Sequence, residues 1–292
     1  MSADRIETQI FGQHLQLRPL DVRTPDGLRI AAQDWAPPQT ANDRRRDVLM
    51  IHGISQAFQC WFKQFSGPLS QRYRLLTYDL RGHGDSDQPV AERYYKESAA
   101  WAGEVQAVIE AAGLVRPVIV AWSYGGRVAL DYLQAAGTRS ISGLVLVAGT
   151  SCANPAVFGS GTALLKRMST VTNLSDNIEA TSEFLHACFA RPIPQEEHDL
   201  MLSYNLRVPP AIRLAMGGRA AAYDAVLRSL HVPVLAIHGS EDCFNLPAMA
   251  EYTARLCPNA RVLLYAGVGH APFWEAPERF NSDLAAYLDS LP

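Results

Sequence analysis

The sequence predicts an α/β sandwich built on a mostly parallel sheet, and three observations carry that expectation. Short apolar runs recur without alternation: Val48-Leu49-Met50-Ile51, Arg74-Leu75-Leu76-Thr77-Tyr78, Val118-Ile119-Val120-Ala121-Trp122, Leu144-Val145-Leu146-Val147, Val234-Leu235-Ala236-Ile237 and Val262-Leu263-Leu264-Tyr265. Unbroken runs of this length suit strands covered on both faces, as in a parallel sheet. Ser98 to Ala112, Gly126 to Ala136, Pro247 to Leu256 and Pro277 to Leu288 have helical periodicity, and alternation of strands with helices defines the class. The third observation is where that alternation fails. From residue 151 to 230 no buried-strand run occurs, while helices are expected near Asn177 to Ala190, Gln195 to Asn205 and Ala211 to Tyr223. Roughly 80 residues is too long for a crossover and too structured for a loop. The expected division is a core of residues 1–150 and 231–292, with residues 151–230 a helical cap inserted over one edge of the sheet.

The elements before the first parallel strand read differently. Leu15 to Thr24 and Leu28 to Trp35 are expected as strands joined at Pro25-Asp26-Gly27, whose Pro and Gly supply turn geometry. The Pro37-Pro38 break follows. Asp43-Arg44-Arg45-Arg46-Asp47 mixes acid with base and reads as a solvated loop. The arm before Leu15 could pack on the core or on a second subunit.

Composition narrows the class of partner. Apolar residues make up 48% of the 292 and charged residues 19%, which excludes a disordered chain. With 26 Lys and Arg against 29 Asp and Glu, the net charge of -3 leaves no concentrated basic surface for nucleic acid. Five cysteines without paired spacing read as thiols of a reducing compartment, not as a disulfide framework. Met1 to His14 has no apolar segment of the kind a signal peptide carries. No run approaches the roughly 20 apolar residues of a membrane span. A cytoplasmic protein, monomeric or homodimeric, is the expectation.

The local pattern richest in chemistry is Val120-Ala121-Trp122-Ser123-Tyr124-Gly125-Gly126. A buried strand ends, a Ser stands between small residues two positions away on each side, and a helix begins at once. Such a turn strains the Ser backbone and lifts its hydroxyl clear of the sheet edge where α/β ligands bind. It is the G-x-S-x-G elbow with Ala121 in the first Gly position; the alternative is an ordinary strand–turn–helix whose Ser caps the helix.

Four more segments accompany it in order: His52-Gly53, Asp79-Leu80-Arg81-Gly82-His83-Gly84-Asp85-Ser86, His238-Gly239-Ser240-Glu241-Asp242, and Gly267-Val268-Gly269-His270 with Pro272 and Glu275 beyond. Together with the elbow they resemble the α/β-hydrolase superfamily, in its serine-esterase-like branch with a helical cap, over nearly the whole chain apart from the arm and the insertion. The resemblance implies a catalytic triad: Ser123 as nucleophile, Asp242 as orienting acid and His270 as general base and acid. A hydroxyl needs such a base to attack at neutral pH, and the base needs an acid to hold its tautomer. Glu241 stays open as an alternative acid. The family's other acid position, after Leu144 to Val147, is Ala148-Gly149-Thr150-Ser151 and holds no carboxylate. His52 and His83 suit turn roles, and His238 reads as a packing residue at a strand end. The implied oxyanion hole is the backbone amides of Ile54 and Tyr124.

The implied reaction needs no cofactor and no metal. Its partner would be a small-molecule ester or lactone. Phe58, Trp61, Trp122, Phe158, Phe184, Phe244 and Phe273 are the candidate substrate-binding aromatics, with Leu164, Leu165, Met168 and Phe189 of the insertion beside them. An esterase of small to medium apolar substrates is the leading expectation. The histidine loop, with its Ala271-Pro272-Phe273-Trp274-Glu275, is also similar to acyl-homoserine lactonases of this fold. A C–C bond hydrolase and a non-catalytic small-molecule receptor are the remaining readings. Family members acting through an elbow Asp are set apart by Ser123, and Ile54-Ser55-Gln56 lacks the Pro that haloperoxidases tend to carry after His-Gly.

Overall fold

Nine strands form one sheet among the residues described by the computed structural model, which are 5–36, 45–219 and 222–292. The Pro37-Pro38 break and Asp43-Arg44 of the charged run lie outside them. The strands are β1 (Ile6–Ile10), β2 (Gln13–Arg23), β3 (Arg29–Asp34), β4 (Asp47–Ile51), β5 (Arg74–Tyr78), β6 (Val118–Trp122), β7 (Gly143–Val147), β8 (Val234–Gly239) and β9 (Ala260–Tyr265). Their order is β1-β2-β3-β5-β4-β6-β7-β8-β9, antiparallel from β1 to β5 and parallel from β5 to β9.

Five of the six apolar runs are strands buried on both faces; the sixth, Val262 to Tyr265, falls in the edge strand β9, where Val262 and Leu264 stay exposed because no further strand or helix among the described residues covers them. Val48, Met50, Val118, Val120, Val145 and Val147 pack into one core. The residues between them, Leu49, Ile51, Ile119, Ala121, Leu144 and Leu146, pack into the other. Alternate side chains of a strand point to opposite faces, so both sets must be apolar when helices cover both. The first core is closed by the helix Pro277–Ser290, through Phe280, Leu284 and Leu288. The second is closed by Ser98–Ala112 and Tyr124–Ala136.

The N-terminal arm packs on its own core. β1 pairs with the first half of β2 across Phe11-Gly12, whose φ values of 47° and 72° are those of a two-residue hairpin turn. Phe11 then rests edge-on against Phe62, with ring centroids 5.1 Å apart.

Between β7 and β8 lie the helices Thr162–Thr170, Leu174–Ala187, Gln195–Leu206, Pro210–Met216 and Asp224–Arg228. The first was not anticipated. The second begins earlier than expected because Asn173 caps it, accepting the Asp176 N–H. The helix expected to run to Tyr223 stops at Met216, where Gly217-Gly218 follow and Gly218 takes φ +70°. Arg213, fully buried, ties four of these helices together. From Pro210–Met216 it donates to Met168 O, Asn177 Oδ1, Thr181 Oγ1 and Asn205 O. No helix among the described residues is long and apolar enough to cross a membrane.

Candidate active site

Ser123 stands between β6 and the helix Tyr124–Ala136 with φ 52° and ψ −118°, a conformation that L-residues avoid. The turn persists because the surroundings determine it. Ser123 N–H donates to Val147 O, and its carbonyl accepts from Gly126 and Thr150. Small residues are required here by distance: a Cβ on the flanking Gly125 would lie 2.5 Å from the Ile51 carbonyl oxygen, and one on Gly53, of the neighbouring loop, would lie 3.1 Å from Ser123 Cβ.

The other two implied catalytic residues arrive on the loops after β8 and β9. His270 Nε2 is 2.9 Å from Ser123 Oγ, and His270 Nδ1 is 2.7 Å from Asp242 Oδ2. A carboxylate at Nδ1 holds the proton there, leaving the Nε2 lone pair to accept the Ser hydroxyl. Gly239 lets the two loops meet, since a Cβ there would lie 2.0 Å from Gly269 O. The His270 backbone N–H donates to Cys188 O, and its carbonyl accepts Trp122 Nε1–H at 2.8 Å. Glu275 accepts from Gly269 N–H at 2.7 Å and Ala190 N–H at 2.9 Å, joining the histidine loop to the insertion.

Asp242 receives four donors. The Phe244 and Asn245 amides reach Oδ1, while His270 and His238 reach Oδ2. Burial alone would raise its pKa; His270 and His238 outweigh that and hold it down to about 2. His238 is therefore more than a packing residue. Its Nε2–H is shared between Asn245 O at 2.6 Å and Asp242 Oδ2 at 3.1 Å. Glu241, the alternative acid, is exposed and accepts Ser240 Oγ; Asp242 is the carboxylate that reaches His270. Cys243 donates its thiol to Ala187 O and stands outside the pocket wall.

The loop carrying Ile54 is held from the next strand turn. His83 Nε2 accepts Ser55 N–H at 2.9 Å, and His52 Nε2 accepts Leu80 N–H at 3.0 Å. Each ring donates from Nδ1 to a carbonyl, of Arg81 and Gly53 respectively. Desolvation pushes both pKa values down, that of His83 to about 4, so both rings are neutral. Asp79 accepts Phe58 N–H and Asp85 N–H, and Gly84 folds over it where a Cβ would lie 2.2 Å from the carboxyl carbon. Neither the Ile54 nor the Tyr124 amide has a partner among the described residues, and both residues border the pocket at Ser123.

Counting its open mouth, that pocket spans about 730 Å³ of space not filled by atoms. Of the seven candidate aromatics, Trp122, Phe158, Phe184 and Phe244 line it. Phe58, Trp61 and Phe273 do not. Phe58 is turned toward Trp35 and Phe65 because Asp79 caps the single turn it begins, Trp61 is fully buried 4.4 Å from Phe273, and Phe273 stands behind Trp122. Leu165 of the insertion reaches the wall. Sequence reasoning missed Gln56, Arg127, Thr162, Met216 and Asn245. Arg127 carried a usable signal, lying one helical turn beyond Tyr124.

The sequence profile of the alpha/beta hydrolase fold matches residues 48–277. Among solved structures, one assigned as an aryl esterase from Burkholderia cenocepacia is 32% identical over 93% of this chain and 98% of its own, with a TM-score of 0.87. An esterase from Rhodococcus sp. ECU1013 is also 32% identical, over 94% and 99%, with a TM-score of 0.85. A non-heme chloroperoxidase from Streptomyces lividans is 28% identical over 92% of this chain and 99% of its own. The chain belongs to the α/β-hydrolase family. The chloroperoxidase match shows that the absent Pro after His52-Gly53 does not set this chain far from that branch.

Proposed function

We propose that this protein is a serine hydrolase that cleaves carboxylic esters of small to medium apolar substrates through an acyl-enzyme on Ser123. The observation that carries the reading is the continuous relay Asp242–His270–Ser123, at 2.7 and 2.9 Å, opening into a largely apolar pocket. The similarity to esterases at 32% identity supports the same class of bond.

In this reading Ser123 Oγ attacks the ester carbonyl while His270 Nε2 takes its proton, and Asp242 stabilises the imidazolium. The Ile54 and Tyr124 amides receive the developing oxyanion, an arrangement worth on the order of 3 kcal/mol per pre-aimed donor. His270 returns the proton to the departing alkoxide, and water repeats the sequence on the acyl-enzyme. The helices of residues 151–230 act as the cap, with Phe158, Leu165 and Phe184 covering the apolar arm of the ester.

Hydrolysis of p-nitrophenyl esters from acetate to dodecanoate, with Ser123→Ala beside the native protein, tests the proposal. Turnover by the native protein and a fall on the order of 10⁶ in kcat for the variant is the expected result. A native protein inert on every ester but active on acyl-homoserine lactones would move the assignment to the lactonase reading. A variant that keeps most of its activity would remove Ser123 from the mechanism.

A further inference from the structure

A second apolar void lies beside the catalytic pocket, beneath the helices Leu174–Ala187 and Gln195–Leu206. Its walls include Cys60, Leu185, Met201, Tyr204 and Phe273. It is narrow, with room for about one water-sized sphere. Two residues belong to its lining and to that of the catalytic pocket: Gln56 and Trp122. They form the partition. Trp122 is committed elsewhere, since its indole N–H holds the His270 carbonyl and its ring lies against that histidine. Gln56 is buried, and among the described residues its carboxamide makes only a long 3.5 Å contact to Asn205 Oδ1 on the insertion.

We propose that Gln56 sets the length limit for the apolar arm of the substrate by closing the catalytic pocket off from this inner void. The inference rests on the ester-hydrolase reading above. The side chain stands between the two spaces, so an alkyl chain reaching past Ser123 meets its bulk before it can enter the void. Cutting the side chain back joins the void, enlarged by the lost methylene and carboxamide, to the space above Ser123. Chains stopped at Gln56 then extend along Leu185, Met201 and Phe273. Each methylene entering that apolar channel should raise kcat/KM by about fourfold, the ratio equivalent to about 0.8 kcal/mol per buried CH₂.

The experiment compares kcat/KM for the native protein, Gln56→Ala and Gln56→Met along two series, p-nitrophenyl esters of lengthening acids and acetates of lengthening alcohols. Gln56→Ala is expected to move the optimum to longer chains in one series, which also identifies the arm that uses the void. Gln56→Met, similar in length, keeps the native profile. Adding Met201→Phe to Gln56→Ala refills the void and restores the shorter optimum. If Gln56→Ala does not yield folded protein, Gln56→Ser makes the same opening and is read the same way. Profiles that run parallel to the native one in both series overturn the proposal, as does a uniform loss of kcat at every length, which would place Gln56 at the reacting carbonyl. A native protein inert on all esters in both series instead overturns the ester reading.

Discussion

Replacing Asp242 by Asn changes few atoms but can turn an acceptor into a donor where two histidines meet it. Four N–H groups converge on this carboxylate: the Phe244 and Asn245 amides on Oδ1, and His270 Nδ1 and His238 Nε2 on Oδ2. An Asn offers one acceptor oxygen. If that oxygen stays with the two fixed backbone amides, its NH₂ faces His270 and His238, donor against donor. His270 relieves the conflict by carrying its proton on Nε2, and Nε2 can then no longer accept the Ser123 hydroxyl. Loss of the reactive tautomer in a triad costs on the order of 10⁴ in kcat, which is about 5 kcal/mol of transition-state stabilisation. KM should change little, because no pocket wall moves. The assay is steady-state hydrolysis of p-nitrophenyl butyrate with the thermal unfolding midpoint measured alongside, and Glu241→Gln as the neighbouring control. Retention of more than about a tenth of kcat by Asp242→Asn would refute the reasoning, and so would a comparable loss in Glu241→Gln.

Three further outcomes follow from the scaffold. Arg81 and Glu104 are both fully buried and paired at 2.7 Å, so Arg81→Met should lower the urea-unfolding free energy by about 3–5 kcal/mol through the carboxylate it strands; Arg81→Met with Glu104→Leu should recover part of that loss. Burial pushes the Asp79 carboxyl up to about 6 against the pull of its two amide donors. The folded chain therefore holds a proton there that the unfolded chain has lost, so the contribution is full below about pH 4 and disappears as pH rises through 6. The sum is about 3 kcal/mol at 1.36 kcal/mol per pH unit, visible as a steeper fall in stability from pH 4 to 7 in the native protein than in Asp79→Asn. Gly125→Ala drives a methyl to 2.5 Å from the Ile51 carbonyl and should cost at least about 1–3 kcal/mol together with most activity, whereas Gly67→Ala, whose Cβ meets nothing closer than 3.9 Å, should be silent in both melting and turnover.

What could be read from the sequence was what local pattern determines. The runs at β5 and β6 matched their strands residue for residue, because a strand buried on both faces is mostly apolar; the exceptions in β5, Arg74 and Thr77, are buried with their polar atoms paired to Asp34 and Gln33. The serine, acid and histidine converged because each follows a strand on the same edge of a parallel sheet, a consequence of topology rather than of distance along the chain. β1 was illegible for the opposite reason. Only Ile6 and Ile10 flank the polar Glu7-Thr8-Gln9, too short an alternation to stand out, and it is a strand because β2 extends past β3 to pair with it. The pocket wall was only half legible. Composition named the aromatics, but whether Phe58 faces substrate or Trp35 depends on a bond to Asp79 from 21 residues away. Gln56 has no signal at all until the insertion is set down beside it.

The two buried histidines after β4 and β5 explain how the Ile54 loop is held in the place where the proposed mechanism needs an oxyanion donor. Ser55 is held at φ +64°, a conformation a free loop would abandon. The hold comes from His83, which can accept Ser55 N–H only while its Nε2 is unprotonated, and burial ensures that it is. His52 repeats the device one strand over, accepting Leu80 N–H, and the two rings lie 5.1 Å apart. An imidazolium at either place would set N–H against N–H and leave a charge beside its neighbour in the core. The same chemistry that would make His270 a base in the proposed mechanism, a lone pair on Nε2 directed by what Nδ1 binds, is thus used at His52 and His83 as a structural acceptor. The distinction among the three lies in their partners. Only at His270 does Nδ1 meet a carboxylate that can stabilise the cation, and only there does Nε2 meet a hydroxyl able to give up its proton.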